Sequence, residues 1–116
     1  MAFSPNASVP ETALTIPAGV ATAIPAFLLY GSSRWTLVIK NTGSHDITAF
    51  TTAKYVHEAD TNAGPDTSLD TSALAKLTAG STTTIEEKNG ASYEKIQFTL
   101  TSTSGTTITY SFEGRG

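Results

Sequence analysis

Four side chains that can offer oxygen to a metal, Asp60, Asn62, Asp66 and Asp70, fall in one stretch of this chain and raise the question of calcium. An EF-hand loop alternates its ligands around an invariant glycine and closes on a bidentate glutamate. That pattern is absent, so the stretch reads as a solvated acidic loop. His45 and His57 are the only histidines, each in or beside a loop. Together they would supply half of a zinc site with no third ligand in view, so both read as surface residues. Ser44, His45 and Asp46 place three triad residue types in one turn, without a geometry that would activate the serine. Glu86 and Glu87, with Glu94 nearby, resemble a carboxylate pair for glycoside hydrolysis, which needs a cleft and opposed environments. They flank Asn89-Gly90, a tight-turn signal, and so read as a solvated hairpin tip. With no cysteine in the chain, thiol chemistry and disulfides are excluded. No catalytic residue, metal site or cofactor is expected.

The aromatic residues offer a different chemistry. Tyr30, Trp35, Tyr55 and Tyr93 can be read as a platform for stacking on sugar. Trp35 alternates with Leu37 and Ile39, which marks it for the core. Tyr30, in "FLLYGSSRW", is the best candidate for an exposed aromatic that makes contacts, because that run is more apolar than a simple connection requires.

The elements that must position these residues are strands. The chain has 116 residues, which suits one domain. Only 15% of them are charged, and Thr and Ser are frequent. Thr is β-branched and suits an exposed strand face, so it can replace Lys and Glu there. The formal net charge of −3 gives no basic field to attract phosphates, and nucleic acid is not an expected partner. The least polar stretch, Ala13 to Tyr30, is broken by Pro17, Gly19 and Pro25 and is no membrane helix.

In "YEKIQFTLTSTSGTTITYSF", Ile96, Phe98 and Leu100 alternate with polar residues, and so do Ile108, Tyr110 and Phe112. This period of two predicts two strands, each with one buried face. A hairpin closed by Thr103-Ser104-Gly105 would pair Leu100 with Ile108 and place Gly105 at the left-handed position. "RWTLVIKNTGSHDITAF" predicts a second hairpin, with Ile47 opening a return strand to about Val56. The two units also suggest a repeat. "IPAGVATAI" and "LTAGSTTTI" match at an offset of 61 (Gly19 to Gly80), which carries Trp35 to Ile96, Leu37 to Phe98 and Ile39 to Leu100. Two similar units imposed by sandwich packing would give the same pattern. Between them lies His57 to Leu77, in which Asn62, Gly64, Pro65 and Asp66 make a turn-rich loop, after which Asp70 or Thr71 can cap a short helix near residues 70–77 with Leu74 and Leu77 inward. Residues 1–14, with Phe3, Pro5, Val9 and Pro10 but one charge, read as an extended arm before a single β domain at 15–116.

The arm "MAFSPNASVPETAL", the "LTAGSTTTI" strand and the closing "IQFTLTSTSGTTITYSF" unit together resemble the small β-rich virion proteins of tailed phages, particularly capsid decoration (cement) proteins. The resemblance implies an all-β fold, a small sandwich or barrel of jelly-roll, immunoglobulin-like or decoration-protein type. It also implies a homo-oligomer, with a trimer favoured, on the outer surface of a phage head, made in the host cytoplasm and bracing the lattice. The partners would be the major capsid protein or other virion subunits, with no membrane and no nucleic acid. Phe3, Pro5, Val9, Pro10 and Tyr30 are the residues expected to touch a partner. The alternative is a carbohydrate-binding or adhesin-like sandwich with Tyr30, Trp35 or Tyr55 stacking on sugar.

Overall fold

The computed structural model describes residues 8–29, 34–57, 59, 74, 77–87 and 93–115. Eight strands run in chain order: β1 (Ser8–Ile16), β2 (Thr22–Ala23), β3 (Phe27–Leu28), β4 (Arg34–Asn41), β5 (Ala49–Tyr55), β6 (Thr82–Glu87), β7 (Lys95–Thr101) and β8 (Thr106–Arg115). They form an all-β sandwich of two antiparallel sheets. The first has the order β1-β8-β4-β6. In the second, β2 and β3 lie end to end along one edge of β7 and β5 takes the other.

The alternation expected of the strands is present. Trp35, Leu37 and Ile39 face inward from β4, Ile96, Phe98 and Leu100 from β7, and Ile108, Tyr110 and Phe112 from β8, all buried. Phe27 binds the layers together. Its ring stacks on Phe112 at 4.3 Å and meets Tyr110 edge-on at 5.9 Å, while Trp35 meets Phe98 edge-on at 5.9 Å. Such offset and edge contacts are the favoured aromatic geometries.

Neither expected hairpin forms. β7 and β8 lie in different sheets, and so do β4 and β5. Each connection is an arch that lifts the chain from one sheet to the other. The physical reason is that period-two burial does not distinguish two strands side by side from two strands facing each other across a core about 10 Å thick. β8 fills its two edges with β1 and β4, which leaves β7 to pair elsewhere. Gly105 does take a positive φ of 83°, but it closes an arch.

The 61-residue offset is visible in the backbone. Thr22 and Ala23 lie opposite Leu100 and Thr99; shifted by 61 in each direction, these pairs become Thr83 opposite Ile39 and Thr84 opposite Val38, both present. Gly19 and Gly80 both take positive φ, 71° and 80°. Their amides donate to equivalent carbonyls, Gly19 to Ser102 and Gly80 to Asn41, each at 2.9 Å. The last strands differ by one residue: Phe50 faces Leu100, whereas Tyr110 faces Ile39.

The arm–domain boundary expected after Leu14 falls inside β1, which is laddered to β8 from Ser8 to Ile16. Leu74 and Leu77 are buried, and the Leu77 amide donates to the Leu74 carbonyl at 3.2 Å. The rest of the short helix expected near 70–77 lies outside the described residues.

Candidate functional site

Pro10 shapes the most distinctive surface. Proline has no N–H to give a ladder, so within a sheet it is confined to edges and bulges. β1 is an edge strand, and its register to β8 shifts between Val9, opposite Phe112, and Thr12, opposite Tyr110. Pro10 and Glu11 therefore bulge outward opposite the single residue Ser111. Thr12 steadies the bulge by donating its hydroxyl to the Pro10 carbonyl at 2.8 Å. A bulge of this kind bends an edge strand and re-aims its side chains.

The bent strand forms one wall of a cleft of about 320 Å³ on the outer face of the first sheet. Ser8, Val9 and Pro10 line it from β1, Thr36 and Val38 from β4, and Ser111 and Glu113 from β8. A second hollow of about 180 Å³ shares Val38 and Ser111 and continues past Lys40 and Thr109 to Thr82 on β6. Together they make a shallow groove across the sheet. Its chemistry is hydroxyl-rich, with Val38 as an apolar centre and Glu11, Glu113 and Lys40 as its charged groups. Such a lining offers hydrogen bonds and shape to another polypeptide. Among the described residues no nucleophile–base pair lies in it.

Of the residues expected to touch a partner, Pro10 stands at this groove, while Val9 borders it but lies opposite buried Phe112 and packs against the core. Phe3, Pro5 and Tyr30 lie outside the described residues, as do Asp60, Asn62, Asp66 and Asp70. His45 and His57 are both exposed and sit at opposite ends of β5, so they do not converge. His45 Nδ1 lies 2.8 Å from the Gly105 carbonyl, and His57 Nδ1 lies 3.8 Å from a Glu94 carboxylate oxygen. Asp46 accepts the Ala79 amide at 2.9 Å. The "TGSHD" turn thus holds an arch together through backbone contacts.

The carboxylate pair needs a correction. Glu86 is exposed as expected, but Glu87 is buried, because alternate residues of β6 point to opposite faces. Glu87 accepts the Tyr93 hydroxyl at 2.8 Å, and that hydroxyl in turn accepts the Trp35 indole N–H at 3.0 Å. Lys54, also buried, places its ammonium 5.0 Å from the Tyr93 ring centroid. Sequence reading missed Lys54 and Tyr93 as interior polar residues. The signal available for Tyr93 was the presence of Trp35, whose buried N–H demands an acceptor. Burial of Trp35 and Tyr93 removes both from any sugar platform, and the half-buried Tyr55 has Lys95 Nζ 4.4 Å from its ring centroid. The chain matches no known family model, no curated protein and no solved structure.

Proposed function

We propose that this is a non-catalytic structural protein that binds other protein subunits, in the manner of a capsid decoration protein seated on the outer surface of a phage head. The observation that carries the reading is the groove at the β1 bulge, where Pro10 stands beside Val38, Thr36 and Ser111 on an outward sheet face. An edge strand kinked by proline cannot be extended as a regular ladder, which blunts aggregation. It leaves a shaped, weakly charged surface that suits one defined partner. Weak contacts of this size become firm when many copies act on one lattice. A homotrimer fits such a lattice, and the partner is the major capsid protein or another virion subunit. Fold class alone does not decide among binding roles. The buried position of Trp35 counts against the sugar-binding reading, which needs an exposed ring.

The test is co-sedimentation with undecorated phage heads, using the parent chain and a variant with Val38→Lys and Ser111→Glu on the groove floor, opposite charges at positions that face each other across β4 and β8. Both positions are half-exposed, so the variant should melt with the parent. Loss of about 1.4 kcal/mol at the contact would weaken binding about tenfold. Equal binding by both chains would remove the groove from the contact, and no binding by the parent would remove the capsid from the function. Light scattering checks the trimer.

A further inference from the structure

We infer that the two halves of this chain, β1–β5 and β6–β8, form a self-complementary pair that can be exchanged between two copies, so that the first half of one copy folds against the second half of another. The partner is a second copy of this chain, and the inference goes beyond the assembly reading without resting on it.

The observation is in the ladders. β1 pairs with β8, β2 and β3 with β7, β4 with β6 and β8, and β5 with β7. Every ladder among the described residues joins one half to the other, and none lies within a half. An arch carries β4 and β5 into opposite sheets in the first half and β7 and β8 in the second, while β1 and β4 share a sheet but are kept apart by β8. A half therefore satisfies its strand edges only by receiving strands from the other half. Unpaired buried backbone groups are costly, so the halves are tied together by their whole hydrogen-bonding capacity.

The β2–β7 and β4–β6 ladders are also reciprocal, while β1 on β8 has no counterpart ladder among the described residues. The register of β2 on β7 is the register of β6 on β4 after the 61-residue shift, and the Gly19 and Gly80 amides bind equivalent carbonyls. Reciprocity of this kind defines an isologous, two-fold interface, in which residue i meets j and j meets i. Here both partners are in one chain, joined through the connection between Tyr55 and Leu74. A closed two-chain exchange repeats each ladder, so it differs from the monomer chiefly in the entropy of the connection and in mass action.

The test uses the full chain in isotopically heavy and light forms, with a specific protease site inserted after Asn62. The surrounding Asn62, Gly64, Pro65 and Asp66 have the polar turn composition that tolerates insertion. Heavy and light chains are unfolded, mixed and refolded over a range of concentrations; the dimer is isolated and then cut under native conditions. The expected dimer-to-monomer ratio rises about tenfold per tenfold rise in free monomer, and cutting yields particles of monomer mass that combine a heavy first half with a light second half. A second arm needs no insertion: Ala23→Cys and Thr99→Cys chains refolded together should form an intermolecular disulfide, since these residues are opposed across β2 and β7. The mismatched pair Thr15→Cys and Thr99→Cys should not. Absence of dimer at any concentration overturns the inference. So does a dimer that keeps its mass after cutting, or one that releases only heavy–heavy and light–light particles.

Discussion

The first arch, residues 42–48, carries the chain from β4 to β5 and is held from within by Asn41; the second, residues 102–105, carries it from β7 to β8 and is closed by Gly105. Asn41 is fully buried and its amide is saturated. Nδ2 donates to the carbonyls of His45, at 2.8 Å, and Leu77, at 3.2 Å. Oδ1 accepts the Gly43 amide at 3.2 Å and the Thr106 hydroxyl at 2.8 Å. Ser102 stands at the equivalent place 61 residues on, also fully buried, and makes one such bond, to the Asp46 carbonyl at 2.8 Å. The longer arch has more backbone groups to satisfy beneath it, and an asparagine reaches several of them at once. The tighter arch closes through the left-handed backbone of Gly105; the longer one needs a glycine too, but for space, since a Cβ at Gly43 would run into Thr106 and the Thr107 amide. Two copies of one plan thus solve the same closure by a hydrogen-bond hub and by backbone freedom. The arches also lean on each other, through His45 against the Gly105 carbonyl and Thr48 against Thr103.

The largest expected effect tests whether the two halves contribute equally to the core. Leu37 and Phe98 are equivalent under the offset, and both are fully buried. Leu37→Ala and Phe98→Ala should each cost about 3–5 kcal/mol, read from urea unfolding at matched m-values. A cost below about 1 kcal/mol for either would break the equivalence.

Next in size is the hub. Asn41→Ala removes four hydrogen bonds: the Leu77 carbonyl keeps the Ile47 amide and the Gly43 amide keeps the Thr107 carbonyl, but the His45 carbonyl and the Thr106 hydroxyl lose this partner. It should cost about 3 kcal/mol, whereas Ser102→Ala should cost about 1 kcal/mol. Denaturant titration of the pair decides the comparison, and equal losses would show that the arches are held alike.

Gly105→Ala should cost about 2 kcal/mol, because its φ of 83° disfavours a Cβ. The added atom would also stand 3.0 Å from the Ala18 amide nitrogen. A variant as stable as the parent would mean that the second arch closes without left-handed backbone.

Smallest are Gly19→Ala and Gly80→Ala. Both have positive φ and nothing within 4 Å of an added Cβ, so each should lose about 1 kcal/mol from backbone strain alone. Thermal melts of the two should agree within about 0.5 kcal/mol. A clear difference would confine the repeat to register and exclude the turns.

The strands and their faces were legible in the chain because burial of one face imposes alternation locally. Trp35 to Ile39, Ile96 to Leu100 and Ile108 to Phe112 each carry that pattern within a few residues. Gly105 was legible as a left-handed residue because the turn chemistry is local too. Val9 and Pro10 could be marked for contact from composition, but their groove could not. Its other wall comes from Thr36, Val38 and Ser111, which the chain brings near only by folding. Glu87 was misread as a solvated tip because its burial depends on Tyr93 and Trp35.

By itself the sequence determined the fold class, the inward faces, the left-handed Gly105 and the repeat offset, all consequences of side-chain period and local backbone preference. Only the tertiary structure decided that the turns are arches, that β1 belongs to a sheet, and that, among the described residues, each half ladders solely onto the other. The reason is physical. Strand pairing is a backbone interaction indifferent to most side chains, so the choice of partner follows from which edges the whole fold leaves open.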